Sequence, residues 1–276
     1  MQPHLYLEVM SCSFSVRCDD VVSRSVIEKC YSSFLRTESR RAIRKHAYVI
    51  TESISGWQLK SGDDVIHCST LADLIYDFEK DMTIRVQLPR PELLFVHGAA
   101  IAGEDRCVMI AGESGAGKST LCWTACNEGF EYMSDELAPV NVSAGLVEPY
   151  PHAICLKERP DYTYPLPAEV VDASRTIHVN ADDIPGNVAG QPRQLVAIIF
   201  IDQGRYGNTA PVLISAAEAA MRLYANSLNQ LAHENEGLAA VRRIAKRVPS
   251  YMLRRAAPTS MVDSIRQVLE SSRLAA

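Results

Sequence analysis

The chain has 276 residues, 47% of them hydrophobic, which is ordinary globular composition for one large domain or two domains. Its net charge of −5 excludes the positive excess typical of nucleic-acid binders. No apolar run approaches the roughly 20 residues of a membrane span, and the first residues lack a signal-peptide pattern, so we expect a cytoplasmic protein with no membrane partner.

Cysteine spacing points to the same compartment. None of the eight cysteines forms a CxxC pair. Cys122 and Cys126 are four residues apart in a predicted helix and could touch, but zinc needs four ligands and no second pair lies nearby. We therefore expect reduced thiols, most of them acting as small buried apolar residues.

Residues 1–90 predict a small α+β domain for recognition or assembly. Hydrophobic periodicity predicts strands over 5–10, 46–51 and 56–64 and helices over 21–35 and 69–81. Thr70 and Asp73 have the spacing of a capping box at the start of the second helix. Pro89 and Pro91 then mark a boundary, because proline stops regular structure.

Residues 91–276 predict a larger α/β domain. The runs 93–101 and 106–112 are short, apolar and bounded by glycine, as buried strands are, and 194–202 is a third such strand. After residue 216 the pattern is mostly helical, with a break at Pro249 and a last helix near 260–272. We expect these C-terminal helices to pack on the sheet or to build a homo-oligomer interface.

A glycine-rich segment directly follows the strand at 106–112 and satisfies the G-x-x-x-x-G-K-[ST] pattern at every fixed position. Its predicted nucleotide-binding residues are Gly112, Glu113, Ser114, Gly115, Ala116, Gly117, Lys118, Ser119 and Thr120. Glycine lets successive N–H groups converge on an anion, and the helix that follows presents its positive end to the same phosphates. Lys118 would reach the β- and γ-phosphates, Ser119 would ligate Mg²⁺, and Thr120 has an alternative role as a first-turn helix residue.

Two acids follow the next short strand. The segment FEYMS ends in Asp135-Glu136, and a strand beside the loop strand would bring both carboxylates to the carboxyl edge of the sheet. There one acid can coordinate Mg²⁺ while the other accepts the proton of an incoming hydroxyl. The alternative is a helix or turn cap, since Ser-Asp-Glu often caps backbone amides.

The span 96–140, VHGAAIAGEDRCVMIAGESGAGKSTLCWTACNEGFEYMSDELAPV, resembles the core of the HPr kinase/phosphorylase family and its kinase-like relatives, which include lasso-peptide kinases. Both have a His-Gly on a strand, a nucleotide loop, a short helix and a strand that ends in paired acids. The resemblance continues more weakly in 151–158, 190–202 and 247–253. It implies an α/β nucleotide-binding domain with the mixed sheet of the HPr kinase and PEP carboxykinase group.

The resemblance also implies roles for single residues. His97 would lie near the γ-phosphate, Asp135 would be the general base, and Glu136 would hold Mg²⁺, although that family usually has a second aspartate there. Arg193 would neutralise transferred charge, and Lys157 would either touch phosphate or decorate a strand. His152 and His178 have no such support and are expected in the core.

The sequence therefore predicts an ATP- and Mg²⁺-dependent kinase that transfers the γ-phosphoryl group to a serine-type hydroxyl of a peptide or small molecule. Two alternatives remain. Asp202, at the end of the strand at 194–202, resembles the magnesium acid of motor ATPases, which would make the protein an ATPase or GTPase switch. A non-catalytic, nucleotide-sensing partner protein is the other.

Overall fold

The computed structural model describes residues 4–37, 44–160, 163–204, 207 and 210–274, and it is a mixed α/β protein with three sheets. Its helices are α1 (Val21–Cys30), α2 (Leu71–Gln87), α3 (Lys118–Asn127), α4 (Ala216–Ala225), α5 (Leu238–Arg247) and α6 (Pro258–Leu274). The strands of its first half are β1 (Leu5–Val9), β2 (Cys12–Cys18), β3 (Leu35–Arg36), β4 (Arg44–Ser53), β5 (Gly56–Ser61), β6 (Asp64–Cys68), β7 (Leu93–Val96), β8 (Gly98–Gly103) and β9 (Arg106–Ala111). The remaining strands are β10 (Glu131–Ser134), β11 (Ala138–Asn141), β12 (Leu146–Val147), β13 (Ile154–Leu156), β14 (Val171–Asp172), β15 (Ile177–Val179), β16 (Arg193–Asp202), β17 (Val212–Leu213) and β18 (Ser250–Arg254).

The N-terminal sheet has the order β3-β1-β2-β4-β5-β6, in which only β2 and β4 are parallel. Helix α2 packs against it with an apolar face that includes Leu74, Phe78 and Met82. The predicted capping box is confirmed, since the Thr70 side chain accepts from Asp73 N–H and the Asp73 side chain accepts from Thr70 N–H.

The second sheet has nine strands and carries the nucleotide loop. Its main path is β10-β8-β9-β16-β12-β11-β7, and β18 and β17 extend it beside β16. Strands β9, β16 and β18 are parallel neighbours, so their carboxyl ends meet at one edge. The glycine-rich segment leaves β9 at this edge and enters α3, which fixes the place of the site.

The two sheets share apolar core. The cluster around β1, β2, β4 and α2 continues into residues beyond position 90, namely Leu93, Phe95, Leu137, Tyr150, Ala153, Val171 and Ala173. The predicted boundary at residue 90 coincides with a change of sheet but not with a gap in the core. The division into two domains therefore stays a prediction.

Several predicted elements differ in detail. The run at 93–101 forms two strands, β7 and β8, because the chain breaks at His97. Strand β10 pairs with β8 and not with the loop strand β9, so the acids lie one strand further away than the sequence suggested. The helix predicted after residue 216 ends at Ala225, and β18 lies in the predicted break at Pro249, ahead of the last helix.

Other findings concern the thiols and the membrane. All eight cysteines are free, and seven of them are buried, as expected. Within the described ranges, no helix has the length and apolar character needed to cross a bilayer.

Candidate functional site

The glycine loop closes tightly around the N-terminus of α3. Gly115 and Gly117 have φ of 83° and 97°, values that side chains with a Cβ adopt only with strain. A Cβ built on either residue would meet no atom within 4 Å, so it would project into open space above the loop. We call this space the cradle, and Gly115 and Gly117 both line the cavity. A glycine-rich loop at a helix N-terminus is an arrangement that binds phosphate groups in many proteins.

Two lysines border this cradle. Lys118 is only 6% exposed, and its Nζ donates to the carbonyl oxygens of Gly112 and Glu113 at 2.9 and 3.2 Å. Burial lowers its pKa, although the nearby carboxylates of Glu136 and Asp135 act against this. Lys157, at the end of β13, donates to Ser114 Oγ at 2.7 Å. A second cation, Lys157, therefore lies beside the loop, where the sequence had left open whether it touches phosphate or decorates a strand.

Asp135 is completely buried at the end of β10. Its Oδ2 accepts the N–H of Cys155 at 3.0 Å, while Oδ1 has no hydrogen-bond partner among the described residues. Burial, followed by the charge of Glu136, raises the pKa of Asp135 to about 7, although the Cys155 N–H and the Ser119 hydroxyl act in the opposite direction. A buried carboxylate oxygen without a partner, beside the loop serine, is available for a cation.

Glu136 takes the opposite position, toward the cavity. Its side chain is 36% exposed, and Oε2 lies 3.4 Å from Nδ1 of His97. The same imidazole nitrogen lies 3.2 Å from the Glu136 carbonyl oxygen, which also accepts the Gly98 N–H at 3.3 Å. Glu136 has φ of 67°, a left-handed backbone that costs a glutamate about 1–3 kcal/mol. The His97-Gly98 corner holds this strained residue in place.

His97 is tuned toward its neutral form. Burial is the main cause of its lowered pKa, and Lys118 and Lys157 lower it further, against the opposing effect of Glu136. Because a carbonyl oxygen only accepts, the contact with Glu136 favours the tautomer with the proton on Nδ1. His97 can then hold Glu136 without needing a charge of its own.

One cavity of about 860 Å³, within the size range of ligand sites, is lined by His97, Lys118, Ser119, Glu136 and Lys157 but not by Asp135. One wall is the glycine loop with Lys118 and Ser119, and His97 and Glu136 lie beside it. The opposite wall comes from the N-terminal sheet and α2 and includes His67, Ser69, Ala72, Asp73, Ile75, Tyr76, Asp77 and Glu79. The cavity therefore lies between the two sheets.

A polar contact links α2 to the segment between β12 and β13. Glu79 Oε1 of α2 lies 2.9 Å from Nε2 of His152, which is fully buried. Burial alone would lower the pKa of His152, but Glu79 more than offsets it, and the pKa is raised; the pKa of Glu79 is lowered in turn. His152 and His178 are both buried as expected, although His178 also borders the cavity.

The structure does not bring Arg193 to the site. It begins β16, its guanidinium pairs with Glu131 at 2.8 Å, and nine residue steps, roughly 30 Å of strand, separate it from the loop edge. Asp202 does lie at the loop edge, on the parallel neighbour of β9, but its Oδ1 accepts the Gly204 N–H at 3.0 Å. Its side chain is not among those that line the cavity.

Sequence reasoning missed the wall from α2 and two arginines, Arg175 and Arg255, that also border the cavity. Arg175 lies 3.3 Å from Asp73 of α2. Arg255 directly follows β18 at the carboxyl edge that β18 shares with β9, and Arg175 lies between β14 and β15. No local pattern could have revealed them, because both positions depend on strand pairing between distant segments.

No protein-family model matches the sequence, and no curated protein matches it. Among solved structures, the chain is similar to the HPr(Ser) kinase/phosphatase from Coxiella burnetii, with 11% sequence identity and a TM-score of 0.34. The match covers 65% of this chain and 90% of that one. A similarity at this level establishes neither family membership nor activity.

Proposed function

We propose that the protein is a kinase that transfers the γ-phosphoryl group of ATP to a hydroxyl group. The observation that carries this proposal is the single cavity shared by Lys118, Ser119, His97 and Glu136, with Asp135 buried behind it. Phosphoryl transfer needs a phosphate cradle, charge stabilisation and a group that takes the proton of the acceptor. All three are supplied within this cavity.

The residues present fit a magnesium ion. Asp135 Oδ1 is buried without a partner, and the Ser119 hydroxyl is near enough to the Asp135 carboxyl group to act on its pKa. Carboxylate and hydroxyl oxygens are ligands that Mg²⁺ prefers. No group of three or more His, Cys, Asp or Glu side chains forms a metal site in the described ranges. Mg²⁺ is usually held by one or two carboxylates together with substrate phosphates. When bound, the ion would neutralise charge on the phosphates.

The geometry favours the opposite assignment of the two acids to the one suggested by the sequence, with Asp135 as the Mg²⁺ ligand and Glu136 as the general base. Asp135 is sealed from the cavity and is the acid that we assign to the Ser119 side of the cation site. Glu136 is accessible and is held by His97, so we assign it as the general base that takes the acceptor proton. Lys118 binds the transferring phosphoryl group, and Lys157 stands beside the same loop.

An ATPase that uses Asp202 is the second candidate, because β16 is the direct neighbour of the loop strand. The two candidates differ in their products. With γ-³²P-ATP, the kinase labels a hydroxyl compound, and Glu136→Gln abolishes this labelling while Asp202→Asn does not. The ATPase releases only labelled phosphate, with the opposite sensitivity. Thermal stabilisation by Mg-ATP with no turnover of either kind would instead indicate a nucleotide-sensing partner protein.

A further inference from the structure

Strand β6 is an open edge of the N-terminal sheet. It is the last strand in the sheet order and pairs on one side with β5, while among the described residues no backbone hydrogen bond reaches its other side. Four of its five residues are exposed. The opposite edge of the sheet, β3, is only two residues long and offers little to pair with.

The hairpin geometry identifies the free backbone groups. Ser61 and Asp64 flank a two-residue turn, and such a closing pair is hydrogen-bonded. In an antiparallel pair, hydrogen-bonded and non-hydrogen-bonded positions alternate, so the N–H and C=O groups of Val65 and His67 point away from β5. The edge therefore presents two donors and two acceptors at the spacing of a strand.

The edge has little of the usual protection against pairing. Natural edges are shortened, bulged or carry charged side chains or proline, whereas β6 contains no lysine or proline, its register with β5 is regular, and its one acid, Asp64, lies at the turn. Two apolar side chains on it are exposed, Val65 by 47% and Ile66 by 37%. Such an edge is suited to accept an extended segment by strand addition.

The same edge leads into the cavity. His67 near the end of β6 and Ser69 directly after it line the cavity that also contains Lys118 and Glu136. Tyr76 of α2, 63% exposed, borders the cavity on the same side. A strand laid along β6 is therefore continuous with the place where phosphate transfer would occur.

We propose that the phosphate acceptor is an extended peptide that pairs with the free edge of β6 and delivers a serine-type hydroxyl past Ser69 to Glu136. The inference rests on the kinase function proposed above and adds a substrate class to it. Backbone pairing at Val65 and His67 provides affinity, and the side chains of the peptide contact Ile66 and Tyr76.

The test compares two acceptors that carry the same hydroxyl. One is an equimolar mixture of capped nonapeptides with a fixed central serine and degenerate flanks; the other is N-acetylserine amide, which is too short to form a strand. Val65→Pro removes one outward N–H without touching the β5 ladder, and Val65→Thr is the matched control that keeps it. The readout is ³²P transfer from γ-labelled ATP.

We expect Val65→Pro to lower kcat/KM for the peptides about tenfold, as expected for a lost backbone bond and a steric clash at the edge, and to leave N-acetylserine amide unaffected. Val65→Thr should stay within about twofold of the wild type. Should Val65→Pro fail to fold, peptides N-methylated at alternate backbone positions test the wild-type protein directly and should show the same loss.

Equal peptide labelling by the wild type and Val65→Pro would overturn the inference. Labelling of N-acetylserine amide but not of the peptides would also overturn it, although the proposed kinase function would still stand. A wild-type dimer that Val65→Pro converts to monomer would assign the edge to a second copy and overturn it as well. Labelling of neither acceptor despite Mg-ATP binding would refute the kinase function itself, and the inference with it.

Discussion

Replacing Glu136 by glutamine tests the assignment of the general base. The change keeps the size of the side chain and its reach toward Nδ1 of His97, which lies 3.4 Å from Glu136 Oε2. It replaces the basic carboxylate with an amide, which does not accept a proton at neutral pH. General-base catalysis typically contributes 10²- to 10⁴-fold, so we expect kcat for transfer to fall by about that factor. The Kd for Mg-ATP should change little, because the loop, Lys118 and Asp135 remain in place.

Asp135→Asn should give a different pattern. Loss of a charge beside Ser119 should raise the Mg²⁺ concentration for half-maximal activity about 10- to 100-fold. The same variant should be more stable than the wild type at pH 8 in the absence of Mg-ATP. A pKa raised to about 7 means that folding disfavours the ionised carboxylate, so above that pH the wild type bears a penalty on the order of a few kcal/mol that asparagine avoids.

The assay measures initial rates of ³²P transfer over a series of Mg²⁺ concentrations, alongside thermal melts at pH 5 and pH 8. Glu104→Gln is the control for the loss of a carboxylate elsewhere in the protein. Glu104 lies in the turn between β8 and β9, at the end of the sheet opposite to the loop, where it pairs with Arg273 of α6. It should match the wild type in every measurement.

Two results would refute the assignment. If Glu136→Gln retained transfer and Asp135→Asn lost it at saturating Mg²⁺, Asp135 would be the base, as the sequence first suggested. If both variants lost Mg-ATP binding to the same extent, the two acids would share the cation, and no proton acceptor would be identified.

Four further changes probe other parts of the site. Gly117→Ala should abolish thermal stabilisation by Mg-ATP, because its Cβ would project into the cradle. Without ligand, the variant should lose only about 1 kcal/mol of stability, from the left-handed backbone at this position. Gly98→Ala should lower the free energy of unfolding in urea by about 2 kcal/mol, since a Cβ there lies 2.6 Å from the Ile110 carbonyl oxygen. Glu79→Gln should cost about 2 kcal/mol in urea near pH 5.5, between the ordinary pKa values of 4.5 and 6.5 of glutamate and histidine. That cost should shrink as the pH rises through the raised pKa of His152, which then loses its charge. It should also shrink as the pH falls through the lowered pKa of Glu79, which then becomes neutral. Asp202→Asn should leave both transfer and hydrolysis rates within about twofold.

Much of the fold was readable from local pattern. The strand, glycine loop and helix were predicted within a few residues, because turn chemistry and helix capping act over short distances. The sequence did not reveal that β10 pairs with β8, since strand order is decided by packing between distant segments. It also did not reveal β18, a short strand after Pro249 that pairs with β16 far earlier in the chain.

The same distinction between local pattern and long-range packing applies to the residues of the site. Lys118 and Ser119 lie in a contiguous motif, and both line the cavity. The roles of Asp135 and Glu136 could not be separated from sequence, because adjacent acids differ only in which one the chain buries. That difference depends on the left-handed backbone at Glu136 and on Cys155, twenty residues away. Arg193 was expected at the site from the resemblance alone, although it begins the strand that carries Asp202 at its far end.

The apolar core that crosses residue 90 also bears on how the chain matures on the ribosome. The core around the N-terminal sheet includes Val171 and Ala173, which are synthesised about 100 residues after the last strand of that sheet. At about 5–20 residues per second, translation leaves this part of the core incomplete for roughly 5–20 s, long enough for a chaperone to bind it. We therefore expect that neither half folds by itself, and that residues 91–276 expressed without the first 90 residues will be recovered as aggregate.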